Sequence, residues 1–270
     1  MALNHSNFSV LVFLLTLLTT ISLQILSNLA NDYGDSEKGT DNANRVGPKR
    51  TLQSGKISRL EMKRLMVAFV CISLFSGVAL LYFSLSSTAL VPFILFLGLG
   101  ILAVIAALKY TIGKKAFGYL GFGDFFVFVF FGIVGVFGSN YLQTHVVDLQ
   151  LLLPSFSIGF FSVGVLNLNN MRDIENDGVF NKKTIPVRFG LEKAKLYHYV
   201  IIALAWISIF EYSLLHNGQP KHLIVLLAFP FFLNHIRQVQ KRQGAALDPL
   251  LKQLSLSTFL FAVLVIFAFS

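Results

Sequence analysis

The stretch FSVLVFLLTLLTTISLQILSNL, from Phe8 to Leu29, carries no charge and is long enough as an α-helix to cross ~30 Å of hydrocarbon. It lacks the basic start of a secretion signal and exceeds a signal's usual apolar length, so we interpret it as a spanning helix. Seven similar stretches follow: Leu65–Ser86, Ala89–Leu108, Phe125–Leu142, Leu149–Leu168, Leu196–Leu215, His222–Ile236 and Leu254–Phe269. The sequence therefore predicts an all-α, polytopic transmembrane bundle of eight spans. We expect residues 1–270 to form one domain, with a tight turn near Ser87 between the second and third spans.

The composition also indicates a membrane protein. Of the 270 residues, 55% are hydrophobic and 13% charged, with a mean hydropathy of +0.70, which is too apolar for an ordinary soluble domain. The single cysteine, Cys71, excludes an intrachain disulfide or a Cys-based metal site. The net charge of +9 does not indicate nucleic-acid binding, because the basic residues lie in short loops between apolar stretches.

The basic residues cluster in alternate loops. All of the 22 lysines and arginines except Lys221 follow the first, third, fifth or seventh apolar stretch. Short cytoplasmic loops are enriched in Lys and Arg, so we expect these four loops on the cytoplasmic side and both chain ends on the other.

Polar, acidic segments follow the first and fifth apolar stretches. We name residues 28–35 the first acidic segment and residues 169–177 the second. Each contains three side chains at helical spacing, which would line one face of a helix extended that far. The two trios are Asn28, Asp32, Asp35 and Asn170, Asp173, Asp177. Their recurrence after four spans is consistent with an internal duplication that brings the two segments together.

Carboxylates grouped at a membrane boundary repel one another unless a cation neutralises them. Oxygen-only ligands favour Mg²⁺, which bridges to substrate phosphates. Basic side chains near both segments would complete a polyphosphate site: Arg45, Lys49, Arg50, Arg172 and Lys182. The alternatives are solvated acidic helix ends, and basic residues that serve topology and lipid headgroups. In the third loop, Tyr110 and Lys114 would lie one helical turn apart, a weak signal by itself.

These residues resemble the motifs of UbiA-type intramembrane aromatic prenyltransferases. NDYGD (Asn31–Asp35) is similar to the first Asp-rich motif, DIEND (Asp173–Asp177) to the second, and YTIGK (Tyr110–Lys114) to the YxxxK pair. The strings Asn28–Ser58 and GYLGFGDFFVFVFFG (Gly118–Gly132) resemble the 1,4-dihydroxy-2-naphthoate polyprenyltransferases of menaquinone synthesis. The resemblance covers essentially the whole chain.

The resemblance implies Mg²⁺-dependent transfer of a polyprenyl chain from an allylic diphosphate to 1,4-dihydroxy-2-naphthoate. Loss of CO₂ and diphosphate would give demethylmenaquinone, made by a multi-pass enzyme of the bacterial inner membrane with its active-site loops facing the cytoplasm. The candidate catalytic residues are Asp32, Asp35, Asp173, Asp177, Lys114 and Tyr110, and the four aspartates would also hold Mg²⁺. The candidate substrate-binding residues are Asn28, Asn31, Arg45, Lys49, Arg50, Asp124, Asn170, Arg172 and Lys182. Asp124 is either an acceptor-site group or a helix N-terminal residue.

The sequence departs from the family pattern at three points. Gly39 stands where the broader superfamily has a third Asp, with Asp41 as its substitute, and Asn181 replaces a Gly after the second motif. The family has nine spans, with its first motif after the second span, whereas here that motif follows the first. We therefore expect the family's opening helix to be missing, as a start codon placed too late or a shortened chain would explain.

The sequence pattern leaves two other functions open. A transporter or channel would line an ion path with acids, but these acids lie at one end of the bundle and not near the midplane. A sister prenyltransferase would instead use 4-hydroxybenzoate, homogentisate or chlorophyllide as its acceptor. The pattern sets neither the prenyl chain length nor the oligomeric state.

Overall fold

The computed structural model describes residues 8–42, 46–85 and 89–269, and within these residues it contains helices but no strand. Eight helices are long and apolar enough to span a membrane: α1 (Val10–Lys38), α2 (Arg59–Ser84), α3 (Leu90–Lys109), α4 (Gly123–Thr144), α5 (Leu149–Arg172), α8 (Leu191–Leu215), α9 (Pro220–Lys241) and α10 (Gly244–Ala268). Two short helices, α6 (Ile174–Val179) and α7 (Ile185–Phe189), lie between α5 and α8. The prediction of an all-α bundle of eight spans is confirmed. The turn predicted near Ser87 lies outside the described residues.

Several helices extend beyond the apolar stretches that predict them. The side chain of Ser9 accepts a hydrogen bond from the Val12 N–H at the start of α1, and Gly39, with a φ of 75°, ends that helix. The helix therefore continues past the apolar stretch that ends at Leu29, and the first acidic segment belongs to the last turns of α1. Backbone hydrogen bonds continue a helix wherever its residues permit, while hydropathy marks only the part inside the hydrocarbon.

The bundle has two packed groups of helices. α1, α2 and α3 enclose a core around Leu26 and Met62. α5 packs against α4, α8 and α10, and an aromatic core including Phe161, Phe232 and Phe261 lies within the second group. Large apolar side chains cover the outer faces of the helices, as lipid contact requires.

The contact between α4 and α5 is close enough to require glycine. A Cβ on Gly132 would lie 2.6 Å from the backbone oxygen of Ser155 and 2.8 Å from Cα of Gly159. Small residues allow membrane helices to approach in this way and to gain backbone-to-backbone packing. This contact connects α4, which follows the third loop, directly to the helix that ends in the second acidic segment.

Candidate active site

A polar pocket lies where the C-terminal end of α1 meets the end of α5 and the segment that follows it. Its lining is mostly amide, carboxylate, hydroxyl and basic side chains: Asn31, Asp35, Thr40, Arg50, Tyr110, Leu166, Asn169, Asn170, Asp173, Asn176, Asp177 and Lys182. The two acidic segments therefore meet as predicted, although the duplication that would explain their meeting remains a prediction. Among the predicted site residues, those in this lining are Asn31, Asp35, Arg50, Tyr110, Asn170, Asp173, Asp177 and Lys182.

The first acidic segment presents its carboxylates from the last turns of α1. Asp32 and Asp35 are both 5% exposed. Oδ2 of Asp32 accepts a hydrogen bond of 2.9 Å from the backbone N–H of Thr51, whereas its Oδ1 is buried without a partner among the described residues. Oδ1 of Asp35 accepts a 2.7 Å hydrogen bond from the hydroxyl of Tyr119. Asn28, predicted to share this helical face, is exposed and does not line the pocket.

The second acidic segment is divided by a helix break. α5 ends at Arg172, Asp173 has φ −97° and ψ 13°, and α6 begins at Ile174. The trio Asn170, Asp173, Asp177 is therefore distributed over the end of α5, the break and α6, so the condition of one continuous helix is not met. All three side chains line the pocket.

Basic side chains hold the carboxylates of the second segment. Arg172 donates from Nε and Nη2 to the two oxygens of Asp173, at 3.0 and 2.7 Å, and its Nη1 bonds to Asp248 at the start of α10. Arg172 therefore positions the Asp173 carboxylate. The Arg172 side chain itself does not line the pocket. Lys182 is buried, and its Nζ lies 3.5 Å from Oδ1 of Asp177.

Asn176 and Tyr119, which were not among the predicted site residues, connect α6 and the third loop to the end of α1 and the residues that follow it. The amide of Asn176 donates to the backbone oxygen of Thr40 at 2.9 Å and accepts from Asn42 at 3.0 Å. Asn176 lies inside the DIEND string, but the predicted metal ligands of that string are its aspartates, so the amide was not selected. Tyr119 was overlooked as well, although it falls in the quoted Gly118–Gly132 string, since nothing in a single sequence shows that it faces Asp35.

The predicted one-turn spacing of Tyr110 and Lys114 is wrong. α3 ends at Lys109, and Gly113 adopts a φ of 93°, so the chain leaves the helix between the two residues. Tyr110 lines the pocket, while Lys114 is exposed on the surface turn. The buried ammonium at the pocket is that of Lys182, and a catalytic role for Lys114 remains a prediction.

The remaining candidates divide between the pocket rim and other positions. Arg50 lines the pocket, with its Nε 3.9 Å from Oδ2 of Asp41, whereas Lys49 is exposed. Asp124 lies in the first turn of α4, as a helix N-terminal residue would, and accepts a 2.8 Å hydrogen bond from the hydroxyl of Tyr197. Arg45 lies outside the described residues.

Burial and neighbouring charges shift the pKa values of several groups in the loops around the pocket. Burial raises the pKa of Asp177 to about 6, even though the neighbouring Lys182 lowers it. Burial would lower the pKa of Lys182, but the carboxylates of Asp35 and Asp177 more than offset this and raise it, so its ammonium stays charged. Burial also raises the pKa of Tyr110 to about 12, which keeps its phenol protonated.

The donor set fits Mg²⁺ carried by a phosphate. Oδ1 of Asp32, Oδ1 of Asn170 and Oδ2 of Asp177 are buried oxygens without hydrogen-bond partners in the described ranges. Within those ranges, no group of three His, Cys, Asp or Glu side chains forms a ready-made metal cage. Mg²⁺ commonly takes one or two carboxylates and completes its shell with water and substrate phosphate oxygens.

A line of aromatic rings leads away from the pocket. The ring of Tyr110 meets Phe117 edge to face at 5.4 Å between centroids, and Phe117 stacks on Phe126 at 4.0 Å. Phe126 lies parallel to Phe130 one turn further along α4, at 6.3 Å. The polar pocket thus continues into an aromatic surface on a membrane-spanning helix.

Comparisons with known proteins agree with this architecture. Residues 1–268 match the UbiA prenyltransferase family. The chain is 41% identical to 1,4-dihydroxy-2-naphthoate octaprenyltransferase of Haemophilus influenzae, over 97% of this chain and 84% of that protein. It is also 41% identical to the enzyme of the same name from Escherichia coli, over 92% and 80% of the two chains.

A solved structure shares the fold. It is that of a UbiA homolog from Archaeoglobus fulgidus bound to DMAPP and Mg²⁺, with a TM-score of 0.65 and 18% identity, covering 97% of this chain and 88% of that one. Fold, family match and relatives lead to one conclusion: this multi-pass membrane protein belongs to the UbiA prenyltransferase family.

Proposed function

We propose that the chain transfers a polyprenyl group from an allylic diphosphate to 1,4-dihydroxy-2-naphthoate, releasing diphosphate and CO₂ and forming demethylmenaquinone. The observation that carries this proposal is the 41% identity, over nearly the whole chain, to two enzymes that bear this activity in their names. The pocket supports it, because carboxylate and amide oxygens lie beside buried basic groups at the start of an aromatic surface.

Acidic residues of the site would bind Mg²⁺, and basic residues would bind the diphosphate. Mg²⁺, when bound, would neutralise charge on the diphosphate and make it a better leaving group. Asp32, Asp35 and Asp177 would hold it, together with the Asp173 carboxylate that Arg172 positions. Lys182 and Arg50 line the same pocket and would offset the remaining negative charge.

The allylic carbon–oxygen bond then breaks, and its electron pair leaves with the diphosphate. The resulting carbocation would lie along the aromatic line, whose ring faces stabilise positive charge and exclude water. An electron-rich carbon of the naphthoate ring attacks the cation, and the carboxylate on that same carbon leaves as CO₂. The electron pair of its carbon–carbon bond restores the aromatic ring.

The distribution of basic residues supports a cytoplasmic position for this site in a bacterial inner membrane. The pocket is formed at three of the four loops that together contain nearly all the lysines and arginines, as cytoplasmic loops do. A Lys114→Cys variant should react with an impermeant thiol reagent only in inverted membrane vesicles. Reaction in right-side-out vesicles alone would reverse the proposed orientation.

The function is tested with membranes that contain the protein, radiolabelled polyprenyl diphosphate, Mg²⁺ and one aromatic acid at a time. We expect labelled lipid with 1,4-dihydroxy-2-naphthoate and its loss in Asp32→Ala and Asp173→Ala, while both variants still insert into the membrane. Glu211→Ala, on an exposed part of α8, is the matched control. Turnover retained in both aspartate variants would refute the metal site. Product only with 4-hydroxybenzoate or homogentisate would identify a sister enzyme, and no product with any acceptor would refute prenyl transfer.

A further inference from the structure

Tyr119 contacts Asp35 of the first acidic segment and two lysines that follow the two segments, without lining the pocket itself. Its buried hydroxyl donates to Oδ1 of Asp35 at 2.7 Å and lies 2.6 Å from the hydroxyl of Thr40, which donates to it. Its backbone oxygen accepts a 2.9 Å hydrogen bond from the N–H of Lys183, the neighbour of Lys182. The third loop is thereby bound both to the end of α1 and to the chain that follows α6.

The ring of Tyr119 also lies beneath two ammonium groups. Nζ of Lys38 is 3.6 Å from the ring centroid, and Nζ of Lys182 is 5.5 Å from it. Both distances are within the range of a cation–π contact, which holds a flexible lysine over one face of a ring. Two lysines from opposite halves of the chain are thus brought near the same carboxylate, that of Asp35.

We propose that Tyr119 is a positioning residue for the Mg²⁺-diphosphate site: its hydroxyl orients the Asp35 carboxylate, and its ring holds Lys38 and Lys182 where they bind the diphosphate. Lys38 is thereby assigned as a further diphosphate-binding residue. The inference rests on the proposed function, since it names the groups that organise the same site. It follows a general property of metal sites, in which hydrogen-bond partners of the ligating carboxylates affect metal affinity about 10- to 100-fold.

The chain contains a closely matched control. The hydroxyl of Tyr33 donates to Oε1 of Glu37 at 2.7 Å, and Nζ of Lys63 lies 5.4 Å from its ring centroid. Tyr33 is 6% exposed, much like Tyr119 at 9%, and it lies outside the pocket lining. Replacing either tyrosine removes the same kinds of contact, but only one of the two positions would affect the diphosphate site.

The test measures ligand binding separately from catalysis. Purified protein in detergent is melted across a Mg²⁺ titration with inorganic pyrophosphate present, and half-saturation is taken from the rise in melting temperature. For Tyr119→Phe we expect about tenfold more Mg²⁺ at half-saturation, and for Tyr33→Phe less than a twofold change. Tyr119→Leu, which also removes the ring, should weaken pyrophosphate binding about fivefold further. Equal effects in the two Phe variants would overturn the inference.

A second pair of variants decides the question if Tyr119→Phe fails to fold. Lys38→Met should weaken pyrophosphate binding about tenfold at saturating Mg²⁺, while Lys63→Met should leave it within twofold. Equal affinities in these two variants would also overturn the inference. This binding test contains no acceptor and no prenyl chain, so it is independent of the prenyl-transfer assay. If binding changes as expected but the unmodified protein makes no prenylated naphthoate, the proposed function alone is refuted.

Discussion

Replacement of Lys182 by methionine tests the electrostatic balance of the pocket directly. Methionine keeps the length of the side chain and removes the ammonium that lies 3.5 Å from Oδ1 of Asp177. At an effective dielectric constant of about 20, that charge pair is worth about 5 kcal/mol before desolvation is considered. Burial already raises the pKa of Asp177 to about 6 with Lys182 present. Because the ammonium lowers this pKa, its removal should raise the pKa further, and Mg²⁺ would then compete with a proton more strongly.

Both Mg²⁺ binding and diphosphate binding should therefore be weaker in Lys182→Met. We expect kcat/KM for the polyprenyl diphosphate to fall about 10- to 100-fold in Lys182→Met, since a hydrogen bond to a charged group contributes about 1.5–3 kcal/mol. The Mg²⁺ concentration at half-saturation should rise in the same variant. The assay is initial-rate prenyl transfer in membranes, with Lys183→Met, an exposed neighbour, as the control. A kcat/KM within twofold of that control would refute the electrostatic argument.

Three further perturbations follow from the structure. Burial raises the pKa of Asp177 from its usual 3.8 to about 6. This shift destabilises the metal-free protein by about 3 kcal/mol as the pH rises from about 4 to 6. Mg²⁺ affinity should increase over the same range, and a flat pH titration would contradict this. Gly132→Ala places a Cβ 2.6 Å from a backbone oxygen of α5 and should lower the melting temperature by several degrees. Gly98→Ala, with open space around it, should not lower it. Equal melting temperatures of the two variants would show that α4 can shift. Asp248→Asn weakens the contact with Arg172, which keeps its second carboxylate partner, Asp173. The unfolding free energy should therefore fall by about 1 kcal/mol, with little change in KM for Mg²⁺. A large rise in that KM would mean that Arg172 needs both partners to position the Asp173 carboxylate.

The fold was predictable because its main determinant is hydropathy over about twenty residues. Each of the eight apolar stretches became a spanning helix, since the hydrocarbon core requires every backbone group to be hydrogen-bonded internally. The ends of the helices were less predictable. α1 continues to Lys38 through Asp32 and Asp35, because those residues tolerate helical geometry and the aqueous boundary no longer selects for apolar side chains.

The candidate site was predictable in composition and less so in geometry. Spacing identified Asp35, Asp173 and Asp177, which the structure brings into one pocket. It misplaced Lys114, because a left-handed glycine between two motif residues changes direction without altering their separation in sequence. It also missed Tyr119, since a contact between distant loops follows from the packing of whole helices and leaves no local pattern.

The partners of the four aspartates explain how the pocket can hold a dense acidic cluster before any metal binds. A backbone N–H, a phenol, a guanidinium and an ammonium each satisfy one of them, at Asp32, Asp35, Asp173 and Asp177 respectively. Within the described residues, one oxygen each of Asp32, Asn170 and Asp177 is a buried acceptor without a partner. Mg²⁺ needs six ligands in octahedral geometry and usually completes them with waters and substrate phosphate oxygens. Phosphate oxygens would supply some of these ligands, so Mg²⁺ and diphosphate should each raise the other's affinity by the same factor, as linkage requires.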